Sequence, residues 1–298
     1  LSREHVKTQG IPTRFKGFDI SQRPYKVDQF NCRECSNQCQ IRRVRIEGES
    51  RPLYYGGRCE KYELDERKGR GKDIPDYFSE RVEMLMRDFK PGTDPGLKTI
   101  GIPRGLMVFY QQFPYWSTFF RELGFNVVIS EETSNETIRR SLSLITAETC
   151  FPVEVMHGHI YELLEGEADY VFLPFIINQT PAKNNDTSNC NCPWVQTVPF
   201  MARASLPPGA REKLLTPALN FRFDDRVLEG ELHDCFGDKF SISRGRIRKA
   251  MKKAMDRQNA FENRVKRRGR EVLGDLPADI PCIVVMGRPY NTGDSALN

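Results

Sequence analysis

From Lys98 onward the sequence alternates between short apolar runs and longer amphipathic ones, and this alternation limits the fold more than any other feature. "KTIGIPRG" reads as a strand ending at Pro103-Arg104. "YQQFPYWSTFFRELGF" reads as a helix interrupted near Pro114 and stopped at Gly124, and "NVVIS" as a second strand. "SNETIRRSLSLI" is a helix capped by Ser134 or Asn135. A helix from Val153 to Leu164 and the strand "ADYVFLPFI" follow. After an Asn-rich polar loop, "WVQTVPFMA" and "LNFRF" read as extended. A long helix is then expected from about Ser241 to Leu273, and "PCIVVMGRPYN" as a further strand. Strands alternating with helices of this length imply right-handed crossovers. The expected fold class is α/β, an open and mainly parallel, Rossmann-like sheet with flanking helices.

Upstream the composition changes. Residues 1–30 are polar, carry Gly10, Pro12, Gly17 and Pro24, and read as a linker. Residues 31–75 hold four cysteines and end in the charged, breaker-rich "ELDERKGRGKDIPD". Residues 76–298 form the α/β domain, entered through "YFSERVEMLMRDF", whose apolar residues Phe78, Val82, Leu85, Met86 and Phe89 fall at helical spacing. The chain opens on Leu1 and stops in a loop, so it reads as a piece of a longer protein.

No apolar run reaches the roughly 18 residues of a membrane span, and no basic-then-apolar signal segment opens the chain. Nine cysteines are an odd and unevenly clustered set. Without a secretion signal they point to a reducing, cytoplasmic setting and to metal or cluster ligation rather than disulfides.

Cys32, Cys35, Cys39 and Cys59 have the spacing C-x2-C-x3-C-x19-C. Two thiolates two residues apart grip one ion from a single tight turn, and a distant thiolate closes the site. Gly56-Gly57 supplies flexible backbone before Cys59, and Asn37 lies inside the first knuckle. A closed four-thiolate site suits structural zinc, and the x3 spacing also suits an iron–sulfur cluster.

Two further cysteines stand apart. Cys150, in "ETCFP", precedes a helix whose first turn contains Pro152. The partial positive charge of that helix terminus favours a thiolate or an anionic group. A buried small hydrophobe is the competing assignment. Cys192, in "CNCPWVQ", is also followed by proline and lies after a strand, on the rim where parallel sheets bind ligands. Arg104 and Arg288 sit in turns on the same rim, as counter-charges or as surface ion-pair residues. Two cysteines do not complete a site; Cys190, Cys235, Cys282 or a residue beyond Asn298 would have to supply a third ligand. His157 and His159 point to nearly opposite faces of their helix, so a Cys–His hydrolase is not supported.

Between Arg244 and Arg270 there are twelve Lys or Arg and two acids, Asp256 and Glu262. Ile247, Ala250, Met251, Ala254, Phe261 and Val265 form an apolar stripe interrupted by Gln258. The basic remainder is a solvated face or a surface for an anionic partner. Interleaved aromatics and base-reading motifs are missing there, so nucleic acid is not the expected partner.

"IGIPRGLMVFYQQFPYWSTFFRELGF", "ETCFPVEVMHGHIYELL", "CPWVQ" and "MGRPYN" resemble a domain of large proteins of the 2-hydroxyglutaryl-CoA dehydratase activator family. "CRECSNQC" and "GGRCEKY" resemble the cysteine-rich segment that precedes it. In that family ATP-driven activase modules reduce an iron–sulfur cluster and pass an electron on, and the domain seen here is similar to the proteins that receive it. The resemblance implies a [4Fe-4S] cluster, sensitive to air, with Cys150 and Cys192 at the family's cysteine positions; Cys190 is outside that pattern. It also implies activase modules as partners and an acyl-CoA as a possible substrate. No G-x-x-x-x-G-K-[ST] phosphate loop is present, so the ATPase motor lies elsewhere. The alternatives are a zinc-stabilised docking module without redox chemistry and, more weakly, nucleic-acid binding through the basic helix.

Overall fold

A computed structural model describes residues 20, 22–33, 37–58, 62, 75–180, 189–276 and 285–297. The chain divides into two units, Leu1–Gly71 and Lys72–Asn298. In the first, β1 (Tyr25–Asn31), β2 (Gln40–Ile46) and β3 (Leu53–Tyr55) form an antiparallel sheet in the order β1-β2-β3. Strand β1 begins inside the stretch read as a linker. Its polar composition hides it, but cross-strand pairing holds it: Val27 faces Val44, and Asp28 faces Arg43 with an ion pair of 2.9 Å.

The second unit opens with α1 (Tyr77–Met86). It continues with β4 (Thr99–Ile102), α2 (Leu106–Tyr110), α3 (Phe113–Glu122), β5 (Asn126–Ile129), α4 (Asn135–Leu144), α5 (Phe151–Glu165) and β6 (Tyr170–Phe172). Then come β7 (Phe175–Asn178), α6 (Pro193–Ser205), α7 (Pro208–Arg211), β8 (Leu214–Leu215), β9 (Ala218–Asn220), α8 (Asp225–Phe240), α9 (Arg244–Gly274) and α10 (Pro289–Gly293). The main sheet has the order β5-β4-β6-β8 with every pairing parallel, and β7 pairs β9 in a small parallel sheet. This is the α/β architecture that the alternation predicts. Strand β5 lies on one side of β4 and β6 on the other, so the strand order reverses at β4, the kind of switch point at which open α/β sheets bind ligands.

Ile100, Ile102, Val127 and Val171 are fully buried strand residues. Helix α3 lays Trp116, Phe119 and Phe120 onto them, and Trp116 packs on Phe172 with ring centroids 4.6 Å apart. Each such ring contributes about 1.5–3 kcal/mol by leaving water. Ser134 is the N-cap of α4 in a full capping box with Thr137.

Further segments differ from the sequence reading. "WVQTVPFMA" lies in helix α6: Val195, Val198 and Ala202 recur at helical spacing and are buried, and Pro193 starts the helix. The strand expected over "ADYVFLPFI" is two strands, broken at Leu173-Pro174, because proline has no N–H for the ladder. The long basic helix begins at Arg244 and follows a separate helix, α8, from which left-handed Ser241 divides it. Of "PCIVVMGRPYN", residues up to 284 lie outside the described residues; 285–288 form no strand and lead into α10.

The basic helix α9 has its apolar stripe in the core. Gln258, which interrupts the stripe, donates from Nε2 to the Gln111 carbonyl at 2.9 Å, at the break between α2 and α3. Its basic face meets acids of neighbouring helices. Lys253 pairs with Glu122 at 2.7 Å, Arg248 with Glu229 at 2.7 Å, Arg268 with Glu80 at 2.5 Å, and Arg257 with Asp88. Individually such pairs contribute about 0–1 kcal/mol, but together they fix how α9 lies across α1, α3 and α8. Among the described residues no helix is long and apolar enough to cross a membrane.

Candidate functional site

Cys150 is the N-cap of α5 and Cys192 the N-cap of α6. Both helices carry proline in their first turn, where a missing N–H breaks no hydrogen bond. Neither cysteine uses its side chain to cap its helix, and both are free thiols, Cys150 exposed and Cys192 half-buried. Arg288 repeats the arrangement as the N-cap of α10, with Pro289 next.

The residue that relates the three is Tyr290. Its side chain is buried. Burial raises the pKa of its phenol, the Arg288 guanidinium opposes that, and charge on Cys150 and Cys192 adds to it. Two sulfurs and one guanidinium thus lie within Coulombic reach of a single phenol. The placement has a packing cause: Ala296 and Leu297, just past α10, pack against Ile138, Val155 and Phe151, which draws the segment across the turn that holds Cys150.

These donors fit an anionic, sulfur-ligated group. Both thiols stand at helix N-termini, whose partial positive charge suits an anionic group bound there. Among the described residues no group of three or more His, Cys, Asp or Glu gathers to hold a metal ion. Of the candidate third ligands, Cys190 is exposed and its backbone bridges Asn178. Cys235 packs against the core from α8, and burial pushes its thiol up to about 11, the mark of an inert structural cysteine. Cys282 lies outside the described residues.

In the first unit, Cys32 is buried and its N–H donates to the Cys39 carbonyl at 2.8 Å, so the β1–β2 hairpin sets the two opposite each other. Gly56 explains its own identity: φ is +93°, and a Cβ there would stand 2.4 Å from the Gln40 carbonyl oxygen. Pairing of Tyr55 with Arg42 carries the following chain toward the hairpin end that bears Cys32 and Cys39. Cys35 and Cys59 lie outside the described residues.

Arg104 belongs to a different constellation. Its backbone N–H donates to Ser130 Oγ at 2.9 Å. Its guanidinium lies over the Phe109 ring and donates to Glu132 at 2.7 Å. Ser130 Oγ is 2.9 Å from His159 Nδ1, and His159 Nε2 is 3.0 Å from Thr133 Oγ1, which donates to Asp294 Oδ2 at 2.5 Å. The directions follow by elimination. Thr133 has one hydrogen and gives it to Asp294, so it accepts from Nε2–H; Nδ1 then accepts from Ser130. His159 is the neutral Nε2–H tautomer. Burial, then the nearby Arg104 charge, holds its pKa down to about 4. Burial raises the pKa of Tyr110, the Asp294 charge adds to that and the Arg104 charge opposes it. His157 Nδ1 faces the Val153 and Glu154 carbonyls of its own helix, each at 3.2 Å. Neither imidazole is hydrogen-bonded to a thiol.

A family model described as "CoA enzyme activase uncharacterised domain (DUF2229)" matches residues 99–298. The chain belongs to this family. No curated protein and no solved structure matches the chain. Within the CoA enzyme activase domain lie Arg104, Cys150, Cys192 and Arg288, whereas the four-cysteine segment precedes it. Two participants escaped the sequence reading. Tyr290 stood in plain view, one residue past the proline of "GRPYN". Asp294 carried no local signal at all.

Proposed function

We propose that this activase-family domain is the electron-receiving partner of ATP-driven activase modules, with a [4Fe-4S] cluster held by Cys150, Cys192 and a ligand from outside the described residues. The observation that carries it is the placement of Cys150 and Cys192 as the N-caps of two helices, α5 and α6, that pack on each other. A bound cluster would supply one-electron acceptance at low potential. Cys150 and Cys192 would supply the thiolates, and two helix N-termini would offset their negative charge. Arg288 adds a cation beside them, and buried Tyr290 keeps water from that side. Arg104 takes no part in this, since its guanidinium is engaged by Glu132 and Phe109.

The hairpin cysteines Cys32 and Cys39, with Cys35 and Cys59, are assigned to a separate structural zinc or cluster site. The second reading, a zinc-stabilised docking module, is favoured by exposed Trp194 and Phe200 on α6, beside Cys192. Metal analysis after anaerobic reconstitution separates the two. Iron and acid-labile sulfide that a Cys32→Ser/Cys35→Ser variant still binds, bleached by a titanium(III) reductant, are the expected result. Zinc alone, with no reducible chromophore, supports the docking module instead.

A further inference from the structure

The turn that carries Cys192 is held from inside the core. Trp116 is fully buried, and its Nε1–H donates to Gln112 Oε1 at 3.0 Å. Gln112 Nε2 donates to Gln179 Oε1 at 3.1 Å, Gln179 Nε2 to Asn191 Oδ1 at 3.2 Å, and Asn191 Nδ2 to the Ile176 carbonyl at 2.9 Å. The direction of this chain is forced by its ends. An indole N–H can only donate and a carbonyl oxygen can only accept, so each carboxamide between them accepts at oxygen and donates at nitrogen. Turning any one amide over would set donor against donor on one side and acceptor against acceptor on the other.

The chain ends on the residue before Cys192. Asn191 is buried, and its backbone is held as firmly as its side chain. Its N–H donates to the Ile177 carbonyl at 2.9 Å, and its own carbonyl accepts from Gln196 Nε2 at 2.7 Å. Gln196 lies on α6 itself, so the helix reaches back over the cysteine that starts it. Cys150 differs. Glu154, the matching residue of α5, accepts the Thr149 N–H at 2.7 Å, but the buried Thr149 hydroxyl has no partner among the described residues. Cys150 is also exposed where Cys192 is half-buried.

A buried amide network with every member paired favours one arrangement, because any displaced member leaves a donor or acceptor unpaired. We propose that Asn191 is a positioning residue for Cys192. The amide chain locks the peptide that carries this sulfur, which makes Cys192 the fixed thiol of the pair and Cys150 the adjustable one. The use of a fixed thiol rests on the reading of a shared inorganic centre, but the fixing itself is a property of the metal-free chain.

The test therefore uses reduced, metal-free protein labelled with bromotrifluoroacetone and read by fluorine NMR. Cys150→Ser and Cys192→Ser assign the two resonances by their loss. The Cys192 label is expected well away from the shift of the free cysteine adduct, and the Cys150 label close to it. Asn191→Ala should bring the Cys192 label to the free-adduct position and leave the Cys150 label where it is. Gln179→Ala, which breaks the chain one amide earlier, should do the same. A merely structural role would lower the melting temperature without moving the label, as expected of Val127→Ala, a core truncation in β5. The inference is overturned if the Cys192 label already sits at the free-adduct position in wild-type protein, if it stays in place in Asn191→Ala and Gln179→Ala, or if Val127→Ala moves it as far. A fixed Cys192 label in protein that assembles no cluster would support the inference and contradict the shared centre alone.

Discussion

Cys150 and Cys192 occupy the same position in two different helices: each is the N-cap of a helix whose first turn contains proline. The proline makes each helix start sharp; Cys150 is exposed there, whereas Cys192 is half-buried against the core. Cys235 is the contrast within the same chain, a core-packed thiol with its pKa raised to about 11 by burial.

That contrast sets an order of reactivity. In reduced, metal-free protein at pH 7.5, iodoacetamide should modify Cys150 first and Cys192 more slowly, leaving Cys235 until the chain unfolds. Peptide mass spectrometry over a time course checks this. Early modification of Cys235 would contradict the placement of α8.

Helix α5 depends on two glycines. A Cβ on Gly105 would lie 2.6 Å from Met156 Sδ, and one on Gly158 would lie 2.4 Å from the Thr137 carbonyl oxygen. A thioether yields more easily than backbone. Gly158→Ala should therefore destabilise by more than Gly105→Ala, each within the roughly 1–3 kcal/mol of overpacked cores. Thermal unfolding reports this as about 2–4 °C per kcal/mol for a unit of this size.

His159 gives the fold a pH dependence. Its folded pKa is about 4, against 6.5 for the free side chain. Between those values the unfolded chain binds more protons. The stability from neutral His159 is therefore full above pH 6.5 and lost as pH falls toward 4, by about 3 kcal/mol. His157, lowered by burial as well, acts in the same direction. In urea titrations, His159→Gln should flatten the loss between pH 6.5 and 4.

Gln258 is the polar residue in an otherwise apolar stripe, and it holds the Gln111 carbonyl where α2 breaks into α3. Gln258→Leu should destabilise by about 1–3 kcal/mol despite its greater hydrophobicity, because a carbonyl is left without its donor. A stabilising effect in denaturant unfolding would contradict this role.

How much was legible follows the range of the interactions. Strands β4 and β5 and the capped helix α4 are written in local pattern and were readable. Helix α6 was not: Val195, Thr197 and Val198 are β-branched and Pro199 lies inside it, so local preference opposed what burial decides. Pro174 split a strand whose apolar run looked continuous. The thiol pair was visible only as two similar prolines after two cysteines. Asp294, which meets Thr133 from 161 positions away, is set by tertiary packing alone.

The central claim is that Cys150 and Cys192 share one inorganic centre. Electron paramagnetic resonance of anaerobically reconstituted, reduced protein tests it most directly. Cys150→Ala and Cys192→Ala are each expected to remove or reshape the same cubane signal, while Cys32→Ala leaves that signal intact. An unchanged signal in both Cys150→Ala and Cys192→Ala would contradict the claim.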